Sequence, residues 1–565
     1  MSEDIKNVEP QKKSPTYWAC RHYWDNENKL DEFLSKGIWW YGQPPARSVI
    51  DNVKEGDYFL LLGRKKKFEA IGRVVKHTEE RGKFEVDYLP IKLDLEDRQR
   101  GQCEISAIDD SEKDKNIIDA INKILREYED KKMELQNKCK NLLEHSHNII
   151  LHGAPGTGKT YLAKQIAESM GAETCFVQFH PSYDYTDFVE GLRPVNKEGS
   201  KEIGFERKDG IFKTFCKKAL NSDNFESVFT NYVEQIKDGE EAKISENATI
   251  KITKDDIEVV QQQGEGSNQS ILIKKESLAK YLRTCVIDNP EQEQYIKVLA
   301  EKLKEKGYKK KNCVFIIDEI NRGELSKIFG ELFFSIDPGY RGTEGAVKTQ
   351  YSNMQQKPNE FDKALGVSED KFKQDDCGHF FVPENVYIIG TMNDIDRNVE
   401  SMDFAFRRRF AFKEITAEET KNMLDNHKGL NGTKIEETVI EEKKEGTVIK
   451  TTVIDRMKNR MNNLNNAISG NKVKDKDGKE IEPVIDGLSS AYHIGASYFL
   501  KFKLPSDYKD KKEEKENAAF KDLWNYHLEP LLQEYLRGME DADKKLESLK
   551  KAYNKEEVKP ASPQS

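Results

Sequence analysis

Apolar and polar positions follow three different rhythms along this chain. In the middle third, compact apolar runs end abruptly in glycine or charge, as at residues 149–151 (Ile-Ile-Leu), 313–317 (Cys-Val-Phe-Ile-Ile) and 386–389 (Val-Tyr-Ile-Ile). Runs without alternation read as strands buried on both faces, the habit of a parallel sheet. A further β-type run covers 174–179, and a helical pattern occupies 161–170. In the first hundred residues the runs are short and separated by turn signals. Strands are expected there at 16–20, 58–62, 70–75 and 84–89, with turns at Glu55-Gly-Asp57, Gly63 and Arg81-Gly82, and a helical stretch near 29–35. Ile117, Ile118, Ile121 and Ile124 fall at helical spacing in a Lys- and Glu-rich segment, which predicts a connecting helix. Beyond residue 420 the pattern is helical over 455–468, 520–537 and 542–550, with a charged hairpin expected from 438–442 and 447–454. Between 215 and 311 no motif stands out. There 248–252, 257–260 and 270–273 look β-rich, and 278–285 and 295–304 helical.

Composition narrows what this arrangement can do. A chain of 565 residues has room for about three or four domains. Charged residues make up 34% and mean hydropathy is −0.80, so the surface is heavily charged. No apolar run approaches the roughly 18 residues needed to span a membrane, and the polar first 14 residues lack the apolar core of a signal peptide. The eight cysteines are scattered singly, without a C-x-x-C pair. That argues against a disulfide framework or a zinc site and fits a reducing, cytoplasmic location. A net charge of −9 argues against indiscriminate nucleic-acid binding but leaves room for local basic patches.

The chemistry concentrates at Gly153-Ala-Pro155-Gly156-Thr157-Gly158-Lys159-Thr160, between the run at 149–151 and the helical pattern that follows. This is the strand, glycine loop, helix order of the G-x-x-x-x-G-K-[ST] phosphate loop. Main-chain N–H groups close around phosphate oxygens, and the helix N-terminus adds its positive end. Lys159 is expected on the β- and γ-phosphates and the Thr160 hydroxyl on Mg²⁺. The run at 313–317 delivers Asp318 and Glu319 at its C-terminal edge, where open α/β sheets hold ligands. Asp318 is expected to hold Mg²⁺ and Glu319 to polarise the attacking water. The run from 386 ends in Asn393, suited to position that water or sense the γ-phosphate. In Arg407-Arg408-Arg409, flanked by Phe406 and Phe410, one arginine is expected to reach a neighbouring subunit's γ-phosphate. Such a device raises rates by about 10³–10⁵ in known cases. His152 has no evident catalytic duty and reads as structural.

Residues 12–100 carry 18 Lys and Arg against 15 Asp and Glu, a local basic excess in an acidic chain. They also hold four of the five tryptophans, Trp18, Trp24, Trp39 and Trp40. A compact β-barrel-like domain is expected, with Arg64-Lys65-Lys66-Lys67 on a loop. Tyr17-Trp18, Ile38-Trp39-Trp40-Tyr41-Gly42, the segment 53–60 and the segment 70–75 together resemble the EVE/PUA-like domains, which flip a modified base into an aromatic pocket. The resemblance implies stacking on an extruded base by Trp18, Trp24, Trp39, Trp40 and Tyr41, with Arg64, Lys65, Lys66 and Lys67 on the phosphates. Ordinary core packing is the competing reading, although two adjacent tryptophans on one strand point to opposite faces.

The set G-A-P-G-T-G-K-T, Q-F-H-P-S-Y-D-Y-T-D-F-V-E-G-L-R-P, I-I-D-E-I-N-R-G-E-L-S-K-I-F-G-E-L, G-T-M-N-D-I-D-R and F-R-R-R-F resembles the McrB-type AAA+ motors of modification-dependent restriction systems. It covers about 149–415, with a later Ile494-Gly-Ala-Ser-Tyr-Phe499. The resemblance implies an α/β protein with an AAA+ P-loop core at 146–420, interrupted by an insertion at about 216–310. A helical lid with the charged hairpin follows at 421–556. The EVE/PUA-like domain (1–108) and a linker helix (109–145) precede the core, and a disordered end (557–565) closes the chain. It further implies a hexameric ring, Mg²⁺, GTP preferred to ATP, modified DNA as target, and a separate McrC-type subunit that carries the nuclease. Carried over by position, Lys159 and Thr160 serve phosphates and metal, and Asp318 and Glu319 form the carboxylate pair. Asn393 is the sensor, Asp396 its acidic companion, and Arg408 and Arg409 act in trans. One departure is visible: the usual M-N-T-A-D-R reads Met392-Asn-Asp394-Ile395-Asp-Arg397, which sets an extra carboxylate beside the site. The alternative enzyme reading is an ATP-driven remodeller of protein or nucleic-acid complexes. A nucleotide-gated binding module is a further possibility, opposed by the carboxylate pair and the arginine run. A self-contained nuclease lacks a P-D…(D/E)-x-K constellation.

Overall fold

The computed structural model describes residues 15–21, 23–24, 27–30, 33, 38–40, 52–62, 67–78, 83–89, 95, 105–108, 114–196, 203–237, 243–245, 248–253, 256–263, 267–369, 372–395, 403–426, 440–444, 447–451, 453–469, 473–474, 480–481, 485, 487–504 and 512–555. The chain divides into two compact units, Gln136–Thr420 with Asn465–Ala496, and Met1–Leu135 with Lys421–Leu464 and Ser497–Ser565.

The first unit is built on a five-stranded parallel sheet in the order Glu173–Gln178, Cys313–Asp318, Val386–Asn393, Asn148–Gly153, Ala411–Glu414. Its central strands are the unalternating apolar runs of the sequence. Ile149, Ile150, Leu151, Val314, Ile317, Ile388 and Ile389 have no exposed surface, because helices cover both faces of such a sheet. Register sets the strand ends against one another. Gln178 lies opposite Asp318, Ile317 opposite Gly390, and Asn393 opposite Gly153. The ends of the three interior strands therefore converge on one edge of the sheet. Beneath it lies an aromatic core in which Phe188 stacks on Phe212 at 4.7 Å and meets Phe315 edge-on at 5.8 Å.

One element of this unit was not expected from the sequence pattern. A hairpin, Glu190–Asn196 with Ile203–Asp209, projects between the sheet and the helix Ile211–Leu220 in chain order. Its base is held by a buried ion cluster: Glu190 accepts from Lys213 Nζ and Arg207 Nη1, both at 2.6 Å, and neither Glu190 nor Lys213 is exposed. The stretch without motif forms a four-stranded antiparallel sheet of Lys243–Ser245, Ala248–Thr253, Asp256–Gln263 and Ser267–Ile273. It packs with the helices Phe225–Lys237, Lys275–Thr284 and Glu293–Glu305 around a separate apolar core that includes Phe229, Ile250, Val259, Leu278 and Leu299. The insertion is thus a small subdomain with its own core.

In the second unit a six-stranded sheet runs in the order Ile38–Trp40, Lys83–Leu89, Phe68–His77, Tyr58–Leu62, Tyr17–Arg21, Ile105–Ile108. Both faces are packed. Trp18, Cys20, Phe59 and Leu61 enter one apolar cluster, while the alternate residues Tyr17, Ala19, Leu60 and Leu62 enter another with Ile121 and Leu125 of the helix Lys115–Ser146. That helix occupies the predicted connecting segment. The helical lid contributes Val453–Ser469, Lys512–Leu523, Glu529–Leu536 and Ala542–Tyr553, preceded by the hairpin Ile440–Lys444 and Thr447–Thr451. Arg460 lies over the rings of Phe520 and Tyr553, at 4.3 and 4.8 Å. A π-helical turn at Trp524–Leu528 precedes Pro530. Proline lacks an N–H and clashes with the carbonyl four residues back, and the wider turn relieves both effects.

Candidate nucleotide site

The phosphate loop leaves the strand Asn148–Gly153 and enters the helix Lys159–Ser169, with Gly158 at the N-cap in the left-handed region (φ 79°). A side chain there would be strained, so the glycine is what permits the turn into the helix. Thr157 is fully buried and its hydroxyl donates to Ala154 O at 3.0 Å, bracing the loop from inside. Lys159 Nζ lies along the loop, donating to Ala154 O at 2.8 Å and Gly153 O at 3.2 Å. The loop thus keeps its ammonium in a cradle of carbonyl oxygens, with the side chain 7% exposed.

The acidic pair meets the loop directly. Thr160 Oγ1 donates to Asp318 Oδ1 at 2.7 Å. Thr391, on the strand that carries Asn393, donates to the same oxygen at 2.6 Å, and its hydroxyl accepts from Glu319 N at 3.4 Å. Both hydroxyls use Oδ1, so the second carboxylate oxygen retains its acceptor capacity. The Thr160 hydroxyl and the Asp318 carboxylate are a hard oxygen donor set, which fits Mg²⁺.

Glu319 has a left-handed backbone (φ 52°, ψ 45°), which costs a non-glycine residue roughly 1–2 kcal/mol. Such strain persists where the surroundings over-determine it. Here Asn393 Nδ2 donates to Glu319 Oε1 at 2.9 Å and Arg322 Nε to Oε2 at 3.1 Å, so both carboxylate oxygens are oriented. Asn321 Nδ2 lies 3.5 Å from Asn393 O and ties the two segments again. Thr391 and Arg322 stood inside the quoted motifs without an assigned role. The three-residue offset from Glu319 was the signal for Arg322, whereas Thr391 reaches the carboxylates only through strand register.

Gly495 meets the same loop. Its N–H donates to Pro155 O at 3.0 Å, and a Cβ on it would lie 2.1 Å from the carbonyl carbon of Gly156. Only a residue without a side chain reaches the phosphate loop this closely. Gly495 is therefore a packing partner of the loop itself.

The remaining predicted residues divide sharply. Arg408 is exposed, whereas Arg409 is buried, donates to Ala405 O and lies over the Phe333 ring at 5.7 Å, with Asp337 at 3.7 Å. Burial, and then the charge of Arg408, lower the pKa of Arg409. Expected to act in trans, Arg409 instead anchors its own segment, because Phe406 and Phe410 draw the turn into the core. Asp396 lies outside the described residues, as do Tyr41, Arg64, Lys65 and Lys66. Trp24 is in a two-residue strand whose side chain is also outside the description. Trp18 is buried with Nε1 donating to Asp57 Oδ2 at 2.9 Å, and Trp39 is wholly buried with Nε1 donating to Arg21 O at 3.0 Å. These two indoles are core residues rather than free stacking faces. Trp40 is half-buried against Phe33 at 6.0 Å, so both adjacent tryptophans contribute to one cluster, and Lys67 is exposed.

Comparison with known proteins agrees with this geometry. Residues 148–234 and 283–410 match the AAA domain (dynein-related subfamily), and the skipped segment holds all four strands of the antiparallel insertion sheet. Residues 456–544 match the McrB alpha-helical lid domain. Over 357 residues the chain is 28% identical to the Type IV methyl-directed restriction enzyme EcoKMcrB subunit of Escherichia coli (strain K12), covering 62% of this chain and 47% of that protein. Over 285 residues it is 24% identical to the Type II restriction enzyme BsuMI component YdiS of Bacillus subtilis (strain 168), covering 50% of this chain and 60% of the relative. Among the described residues no helix is long and apolar enough to cross a membrane. The phosphate loop, its acidic partners and the matching lid together show that the chain belongs to the AAA+ P-loop proteins, with a motor and lid of the McrB type.

Proposed function

We propose that the chain is a Mg²⁺-dependent NTP-hydrolysing motor, with GTP its preferred substrate, that works as a hexameric ring in a restriction system. Its N-terminal domain reads DNA carrying modified bases, and the motor drives a separate McrC-type nuclease subunit. The observation that carries the reading is the continuous array Thr160–Asp318–Thr391 beside Asn393–Glu319–Arg322. Loop amides and Lys159 bind the triphosphate, and Glu319, oriented by Asn393 and Arg322, accepts a proton from an aligned water. Bound Mg²⁺, held by Thr160 and Asp318, supplies charge neutralisation at the phosphates. The exposed Arg408 reaches the neighbouring subunit's γ-phosphate. Catalysis here is positioning and electrostatic stabilisation rather than covalent chemistry. In the N-terminal domain, Trp40, Tyr41 and the basic run ending at Lys67 are the base-reading candidates.

Turnover of GTP and ATP, each measured with and without methylated duplex and with Lys159→Ala and Glu319→Gln, tests the motor reading. Lys159→Ala loses nucleotide binding, while Glu319→Gln binds and does not turn over. Equal loss of binding in both variants would contradict the assigned roles, and ATP turnover above GTP turnover would overturn the substrate choice. A binding panel of methylated and unmodified duplexes against the full chain tests the reader, and equal affinity for both would remove it.

A further inference from the structure

The arginine turn carries Phe404, which at 88% is the most exposed large apolar side chain among the described residues. Phe406 is wholly buried and stacks on Phe410 at 4.5 Å, which fixes the turn and leaves Phe404 facing away from the core. A lone exposed phenylalanine would be ordinary. This one shares its face with Arg408, whose N–H donates to Phe404 O at 3.2 Å. The two residues are one helical turn apart, so their side chains leave the turn on the same side. Arg407 is exposed as well, and Asp403 caps the turn by accepting from Ala405 N at 3.0 Å. Arg409 ties this turn to a second exposed aromatic pair. It donates to Ala405 O and lies 3.7 Å from Asp337. Asp337 falls between Phe334 and Tyr340, which stack at 4.3 Å and are both exposed. Aromatic and arginine side chains of this kind are the residues enriched at interface centres.

Strand register sets this face apart from the chain's own phosphate loop. Asn148 Nδ2 donates to Arg409 O at 2.9 Å, and Ala411 lies opposite Ile149. Asn148 and Ile149 open the strand that ends at Gly153. At about 3.3 Å per residue, the span from Asn148 to Gly153 puts the arginine turn roughly 16 Å from the loop, at the opposite end of the strand. We propose that Phe404 anchors a second copy of this chain: its ring is buried against the neighbour's nucleotide edge and brings Arg408 to that neighbour's γ-phosphate. The inference rests on the trans-acting role of Arg408 proposed above. Charge favours this occupant, since the turn is cationic and the neighbour's edge carries Asp318, Glu319 and the triphosphate. A contact between opposite ends of the sheet in successive copies is heterologous, so it can repeat around a closed ring. A large aromatic side chain at the centre of such a contact carries much of its binding energy.

The experiment follows assembly by sedimentation velocity and turnover by phosphate release, over a dilution series of the full chain with Mg²⁺. GTP and ATP serve for turnover, and their slowly hydrolysed analogues for assembly. Wild type is compared with Phe404→Ala, Phe404→Leu and Arg408→Ala. Phe404→Ala raises the concentration of half-assembly about tenfold or more. Its turnover moves along the concentration axis by the same factor and returns to the wild-type value at high concentration. Phe404→Leu keeps apolar bulk and stays within about threefold of wild type. Arg408→Ala assembles and remains inactive at every concentration. Melting of the dilute, nucleotide-free chain is unchanged in all three, because side chains this exposed support little of the single chain. A Phe404→Ala that assembles and turns over like wild type, beside an inactive Arg408→Ala, overturns the anchor and leaves the trans arginine standing; another partner then covers the face. A loss of turnover in Phe404→Ala that concentration does not restore assigns Phe404 to the single chain and also overturns the anchor. A wild-type chain that stays monomeric with nucleotide, or an active Arg408→Ala, removes the trans reading and the anchor together.

Discussion

Replacing Gly495 by alanine tests the contact between the lid-side segment and the phosphate loop. The added Cβ would stand 2.1 Å from Gly156 C and 2.3 Å from both Gly156 O and Thr157 N. All three are main-chain atoms of the loop, with no flexible side chain to swing aside. Carbon contacts settle at about 3.5–4.0 Å, so the segment must retreat by more than an ångström. That breaks the bond from Gly495 N to Pro155 O, worth about 1 kcal/mol, and adds overpacking of about 1–3 kcal/mol. Gly495 has no left-handed backbone, so the penalty is steric. A loss of about 2–4 kcal/mol lowers the unfolding temperature of a unit this large by about 4–8 °C. Differential scanning fluorimetry reads that shift, and nucleotide titration should show weaker binding because the cradle itself is pushed. Gly171→Ala serves as the control. It introduces a left-handed alanine (φ 58°) in open space, costing roughly 1–2 kcal/mol, and leaves nucleotide affinity unchanged. Unchanged melting and unchanged affinity in Gly495→Ala would refute the reasoning.

Further consequences follow from the same geometry. Thr391→Val removes the hydroxyl that serves both Asp318 and Glu319 N; turnover should fall about tenfold, in line with losing one oriented hydrogen bond of about 1–1.5 kcal/mol, with nucleotide Kd little changed. Normal turnover would show that the carboxylate pair needs no help from the sensor strand. Arg409→Ala should lower the melting temperature by about 2–8 °C through lost packing on Phe333 and an unpaired Asp337, whereas Arg408→Ala should keep wild-type melting and lose turnover, a split read by fluorimetry and phosphate release. Glu190 is buried, which pushes its pKa up, but Lys213 and Arg207 outweigh burial and hold it below the ordinary carboxylate value. Its ionised form therefore stabilises the fold above about pH 4, and that contribution disappears as pH falls through the depressed pKa. Glu190→Gln should be about 3 kcal/mol less stable at neutral pH, since it leaves buried Lys213 with only Asp209, at 3.7 Å, as a charge partner. Its unfolding curves should converge with wild type toward pH 3, and a gap that stays constant with pH would contradict the role.

How much of the site was legible depended on how local its chemistry is. Lys159, Thr160, Asp318, Glu319 and Asn393 could be read directly. A phosphate cradle requires its glycines and lysine at fixed spacing, and a buried apolar run ending in carboxylates announces its own strand end. Thr391 and Gly495 could not be read this way. The first matters because strand register sets it beside Asp318, and the second because a segment more than 300 residues downstream returns to Pro155. The hairpin at Glu190–Asn196 hid behind Gly191 and Pro194, which break the alternation, and a buried ion cluster holds its base. Adjacent tryptophans and consecutive arginines looked alike in one dimension. Only the fold turned Trp39 and Arg409 inward and left Arg408 outside.

By itself, the amino-acid order determined the phosphate loop, the acidic strand end, the α/β class and the helical lid, since each rests on periodicity or on contacts between near neighbours. The tertiary structure alone decided which aromatic and cationic side chains are core, which threonine completes the carboxylate site, and that His152 holds Asp394. Those outcomes depend on register and burial between segments far apart in the chain, where a side chain's environment comes from partners that sequence spacing does not specify.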